Sequence, residues 1–151
     1  MLELATRKDR SAVNRLARQV HELHVSWRPD LYTMPDELFP EALFSELVKS
    51  RELYVAKLDR TVVGFAWVRI RTSEGVGLVT RKVMLINQVC VDKALRNRGI
   101  GTRIMEELRV LARAFGCTDL QLSVYPQNDE AVSFYQKCGF MIQSINMQRK
   151  V

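Results

Sequence analysis

One change of hydrophobic period, made across a short loop, restricts this chain more than any other feature. Val83-Met84-Leu85-Ile86-Asn87-Gln88-Val89-Cys90-Val91 is an apolar run with the length and composition of a buried strand. After Arg96-Asn97-Arg98-Gly99-Ile100-Gly101-Thr102 the pattern becomes helical: Ile104, Met105, Leu108, Leu111 and Ala112 share one face, and Gly116 stands where a C-cap is expected. The first-turn N–H groups of such a helix have no intrahelical acceptor, and the positive end of its dipole points the same way, so the loop suits an anion. Gly99 and Gly101 are expected to let the backbone approach that anion with no Cβ in between. The spacing is neither that of a P-loop, which ends in Gly-Lys-Ser/Thr, nor the three-glycine dinucleotide fingerprint.

The remaining elements follow from the same reading. Residues 1–7 alternate as a short strand. Thr6-Arg7-Lys8-Asp9 resembles a capping box and opens a helix with the stripe Val13, Leu16, Ala17, Val20 and Leu23. Three prolines make residues 28–40 a loop, with room for a helical turn near Asp36 to Phe39, and a second helix follows Pro40. Leu53–Leu58 and Val62–Ile70 form a hairpin about Asp59-Arg60. The run Leu120 to Tyr125 is a strand, 128–138 a helix, and 140–149 a closing strand. The order is β-α-α-β-β-β-α-β-α-β, a mixed α/β class.

With 151 residues the chain suits one unit, 1–151, able to bury a core without disulfide or metal. No apolar run reaches the roughly 20 residues of a membrane span, and Met1-Leu2-Glu3-Leu4 lacks the character of a signal peptide, so a cytoplasmic protein with no membrane partner is expected. Cys90, Cys117 and Cys138 are odd in number and lack C-x-x-C spacing, which fits a reducing compartment and no metal site. The net charge of +6 divides as +1 over residues 1–80 and +5 over 81–151, so the basic field surrounds the glycine loop. Nucleic acid is the competing partner for such a charge. The basic residues nevertheless form no run and do not alternate with aromatics, and no nucleic-acid partner is expected.

The string Asn128…Ala131…Phe134-Tyr135…Gly139-Phe140 completes a resemblance begun by the strand, by R-x-x-G-x-G-T and by Leu120 to Tyr125. Together, from about Ile86 to Phe140, these segments resemble the GNAT (GCN5-related N-acetyltransferase) superfamily, which transfers acetyl from acetyl-coenzyme A to an amine. The resemblance implies an acyl-CoA N-acyltransferase fold, with a central, mostly antiparallel mixed sheet flanked by helices. It also implies acetyl-CoA as cofactor and a small-molecule amine, or an amine of a protein or peptide, as acceptor. A CoA-binding regulatory module of the same fold is the alternative, and a homodimer accords with base rates alone.

By the same resemblance, Val89, Cys90 and Val91 offer main-chain groups to the pantetheine arm and the acetyl carbonyl. Arg96, Asn97, Arg98, Gly99, Ile100, Gly101 and Thr102 cradle the pyrophosphate, with Arg96 shaping the loop. Asn128 reads both as a helix N-cap and as a polar partner of the arm. Tyr135 is the candidate general acid toward the departing thiolate; packing between Phe134 and Phe140 is its other reading. A phenol keeps its proton at neutral pH and can donate it. Cys90 and Cys138 are assigned no covalent role. The general base is a gap, because the strand offers Asn87 and Gln88 where many relatives carry a glutamate. His24, Asp30 and Glu37 are candidates from the acceptor side, each with a plain surface or turn role beside it. Trp27, Tyr32 and Trp67 are candidate walls of the acceptor groove, Trp67 equally a core residue.

Overall fold

A computed structural model describes residues 1–151. Five strands form one sheet in the order β1 (Leu2–Leu4), β2 (Leu53–Leu58), β3 (Thr61–Ser73), β4 (Arg81–Val91) and β5 (Asp119–Leu122). The first four are antiparallel neighbours, and β5 joins β4 in parallel. Helices α1 (Arg10–Trp27) and α2 (Glu41–Lys49) precede the central hairpin, α3 (Ile100–Ala114) crosses from β4 to β5, and α4 (Asp129–Lys137) follows β5. The fold is thus mixed α/β with helices on both faces.

Period-two alternation in β2 divides the core in two. Leu53 and Val55 pack with Val13, Leu16, Phe39, Phe44 and Leu47 on the face of α1 and α2. Tyr54 and Ala56 pack with Ile100, Ile104, Met105 and Leu108 on the face of α3. Covered on both sides, β2 and β3 read as continuous apolar runs. Asp59 and Arg60 both take positive φ, the conformation a two-residue hairpin turn requires.

Several expected boundaries move. A 3-10 turn over Arg7–Asp9 precedes α1, and the Asp9 carboxylate accepts the Thr6 N–H at 2.8 Å, the reciprocal half of the expected box. The helical turn expected near Asp36 to Phe39 is absent; a single turn closes earlier instead, where the Arg28 carbonyl accepts the N–H groups of Leu31 and Tyr32 at 3.0 Å. The strand expected over Leu120 to Tyr125 stops at Leu122, because β5 has a paired neighbour only from Val83 to Ile86.

The closing strand expected over 140–149 is absent. Its apolar residues, Met141, Ile142, Ile145 and Met147, fall on both faces of an extended chain and lie exposed. Ser144 and Asn146 among them disfavour a ladder. Past Phe140, whose N–H donates to the Tyr135 carbonyl at 3.0 Å, the segment is tied by side chains, Gln121 to Gln143 at 3.1 Å and Arg28 to Gln148 at 2.8 Å among them. No helix is long and apolar enough to cross a membrane.

Candidate active site

The sheet opens where β4 and β5 part. Their pairing ends at Ile86↔Leu122, yet β4 runs on through Asn87, Gln88, Val89, Cys90 and Val91. On its other side this stretch stays paired, Ala66↔Val89, Phe65↔Cys90 and Gly64↔Val91, while the edge facing β5 has no strand beside it. An unpaired strand edge is a template for an added extended chain.

Helix α1 spans the opening. Its Leu16 carbonyl accepts the Cys90 thiol at 3.3 Å, and Arg15 and Gln19 reach Asp92 at 2.7 and 3.3 Å. Eight residues later the His24 ring lies 5.7 Å from that of Tyr125, beyond the end of β5. Eight helical residues span about 12 Å, room for a further extended chain between strands spaced about 4.8 Å apart.

At the mouth of this slot the loop turns with two left-handed residues, Asn97 at φ 62° and Gly99 at φ 78°. The N–H groups of Arg98, Gly99, Ile100, Gly101 and Thr102 donate to no protein group. A side chain at Gly99 would meet nothing within 4 Å, so this glycine serves its backbone conformation. Gly101 has a packing role as well. A Cβ there would sit 3.0 Å from the Phe134 ring, so its missing side chain admits α4 against α3.

Arg96 folds back toward the Val91 carbonyl at 3.4 Å, Arg103 pairs with Glu107 at 3.1 Å, and Arg98 stays unpaired and exposed. Ile100 is buried and anchors the loop in the core, whereas Thr102 is exposed. Free amides, an open concave turn and an unpaired guanidinium form a donor set that fits a diphosphate.

Asn128 is the N-cap of α4: its Oδ1 accepts from the Ala131 N–H at 3.1 Å, leaving the Nδ2 donors free. Tyr135 packs between Phe134 and Phe140, with ring centroids 5.4 and 5.8 Å away, so its packing reading is correct as far as it goes. Its hydroxyl nonetheless has no protein partner and is reached by solvent. Burial, seconded by the nearby Cys90 and Cys138 thiols, pushes this phenol up to about 12. Cys90 itself is buried and raised to about 12 mainly by desolvation, so it stays a protonated, unreactive thiol at neutral pH.

On the acceptor side the structure gathers five half-buried rings: His21, His24, Trp27, Tyr32 and Tyr125. The hydroxyls of Tyr32 and Tyr125 meet at 2.5 Å. His21 donates Nε2–H to the Thr33 carbonyl at 2.7 Å, which fixes its tautomer, since a carbonyl only accepts.

Trp67 lies apart. It packs on Phe39 at 5.9 Å and donates to Glu52, which decides for its core reading. Glu37 is held by Arg10 at 2.8 Å. Asp30 is held by Arg28, whose hydrogen bonds draw its carboxyl down to about 2. The sequence reading missed Asp92, which fastens α1 to the end of β4, and Tyr125, which it placed inside the strand.

Slot, glycine loop and phenol lie together where β4 and β5 part, and the fold is that of the acetyltransferases. The profile of the acetyltransferase (GNAT) family matches residues 17–140, and the chain belongs to that family. It is 31% identical over 117 residues to the N-alpha-acetyltransferase RimI of Mycobacterium tuberculosis, a match covering 76% of this chain and 68% of the relative. A variant of the BH1408 protein of Bacillus halodurans superposes with a TM-score of 0.94 at 27% identity, covering 100% of this chain and 99% of that one. The AAC(6')-Iy structure in complex with the bisubstrate analog CoA-S-monomethyl-acetylneamine shares the fold, with a TM-score of 0.73 and 18% identity over 100% of this chain and 97% of that one. Three other curated relatives match locally, the chain spanning only 24–38% of their length.

Proposed function

We propose that residues 1–151 act as one N-acetyltransferase unit, moving an acetyl group from acetyl-CoA directly to a primary amine. The observation that carries this reading is the unpaired β4 edge, which leads into five free amides at the start of α3 with the Tyr135 phenol beside Cys90. Arg98 to Thr102 would hold the diphosphate, and Val89 to Val91 would pair along the arm. Acetyl-CoA supplies an activated thioester. A preorganised hydrogen-bond donor aimed at a developing oxyanion is worth about 3 kcal/mol, judged by the cost of removing one from an acyl-transfer site. Tyr135, protonated throughout the neutral range, provides the proton for the sulfur that leaves.

Three free thiols accord with a cytoplasmic setting. The acceptor is narrowed only to an amine: a sequence relative is named an N-alpha-acetyltransferase, and a structural neighbour carries an acetylneamine analog. The cluster of five rings, His21, His24, Trp27, Tyr32 and Tyr125, favours a small molecule. Release of free thiol from acetyl-CoA across an amine panel tests the assignment. Turnover with at least one amine is expected. Micromolar CoA binding with no turnover would select the regulatory module, and absence of binding would reject both.

A further inference from the structure

Along α1 the sheet-facing stripe runs through Val13, Leu16 and Val20, and 3.6-residue periodicity continues it to His24 and Trp27 while Leu23 turns outward, 38% exposed. The change from aliphatic to ring side chains coincides with the passage of α1 beyond β4, where no strand lies beneath it. His24 thus lies on the same face of the sheet as Cys90, eight residues along α1 from the Leu16 carbonyl that accepts that thiol, beside Tyr125 past the end of β5. Its ring is half-buried among His21, Trp27, Tyr32 and Tyr125, at centroid distances of 5.3–6.2 Å. Neither ring nitrogen bonds to the protein, and neither is sealed from solvent.

We infer that His24 takes the proton from the acceptor ammonium, the base that β4 does not supply; this rests on the acetyl-transfer reading above. The carboxylates of this end are committed elsewhere: Asp30 to Arg28 and Lys150, Glu37 to Arg10, Asp92 to Arg15 and Gln19. Other titratable groups around the ring are His21 on α1 and the paired hydroxyls of Tyr32 and Tyr125. Desolvation, with the His21 charge adding to it, holds His24 below its ordinary value, so it is neutral and able to accept at pH 7.

The protons balance. An ammonium gives one proton to His24, and its nitrogen lone pair bonds the acetyl carbon as the carbon–sulfur bond breaks. The sulfur takes a proton from Tyr135, the second nitrogen-bound proton restores the phenol, and His24 releases its own to water.

The test is kcat against pH, at saturating amine and acetyl-CoA, for wild type and His24→Gln. CoA affinity is measured by calorimetry, and the His24 ring is titrated by NMR. Removing a general base is expected to lower kcat about a hundredfold at pH 7, to abolish the acidic limb and to leave CoA affinity within about twofold. The deficit should shrink as pH rises and the amine arrives neutral. A variant that turns over within about threefold of wild type, with its acidic limb intact, overturns the role of His24 while leaving acetyl transfer standing. Wild type that releases no thiol with any amine strikes the transfer reading and this role with it. Should His24→Gln melt early, the wild-type ring titration decides: a limb of kcat that does not track the His24 signal refutes the assignment.

Discussion

The two banks of the slot are made of different material. The bank toward β4 and α3 is main chain: a strand edge, a left-handed turn and a helix start, joined by one phenol. The bank toward the end of α1 is side chain: rings brought together from residues 21–32 and from residue 125, with two hydroxyls in contact. Main chain fixes a carrier's shape whatever its side chains are, whereas rings select a particular acceptor. A common carrier needs only the first bank, and differences between relatives can accumulate in the second.

The sharpest way to break this contrast is Tyr135→Phe, the single side chain asked to act chemically on the main-chain bank. Turnover should fall about a hundredfold, with CoA affinity within about twofold. Because burial holds this phenol near 12, the wild-type rate should show no basic limb below about pH 10; a limb there would assign the proton to another group. Gly101→Val comes next. A side chain at 3.0 Å from Phe134 should part α3 from α4, destabilise by about 1–3 kcal/mol and weaken CoA about tenfold, as read by melting and calorimetry.

Tyr125→Phe probes the other bank. Loss of its hydroxyl contact with Tyr32, about 1 kcal/mol, should raise the amine KM about fivefold and leave CoA affinity alone. A shift in CoA affinity would show that the banks are not separable. The smallest effect belongs to Cys90→Ala, in which kcat should stay within about twofold because no acyl group passes through that thiol; a dead variant would mean a covalent route.

The same contrast decides what could be read from the sequence. Arg96 to Thr102, the Asn128 cap and Gly116 are local signals, each set by a few adjacent residues, and all stand where expected. The parting of β4 and β5 is not local. Nothing in Leu120 to Tyr125 tells where pairing stops, so Tyr125 was placed on the strand instead of facing His24. The sequence leaves His24 open between candidate base and plain helix-end histidine, because its neighbours Tyr32 and Tyr125 are distant in the chain. The segment 140–149 carried enough apolar residues for a strand but no face on which to bury them. The packing of Gly101 on Phe134 is equally non-local, since the two residues lie 33 positions apart in the chain.

That contact constrains how the molecule can vary. Phe134 fills the hollow left by the absent methyl at position 101, and the neighbouring ring is Tyr135, the proposed proton donor. Positions 101 and 134 can therefore drift only as a matched pair. An alanine at 101 requires the Phe134 ring to give by a few tenths of an ångström, and that ring packs on Tyr135.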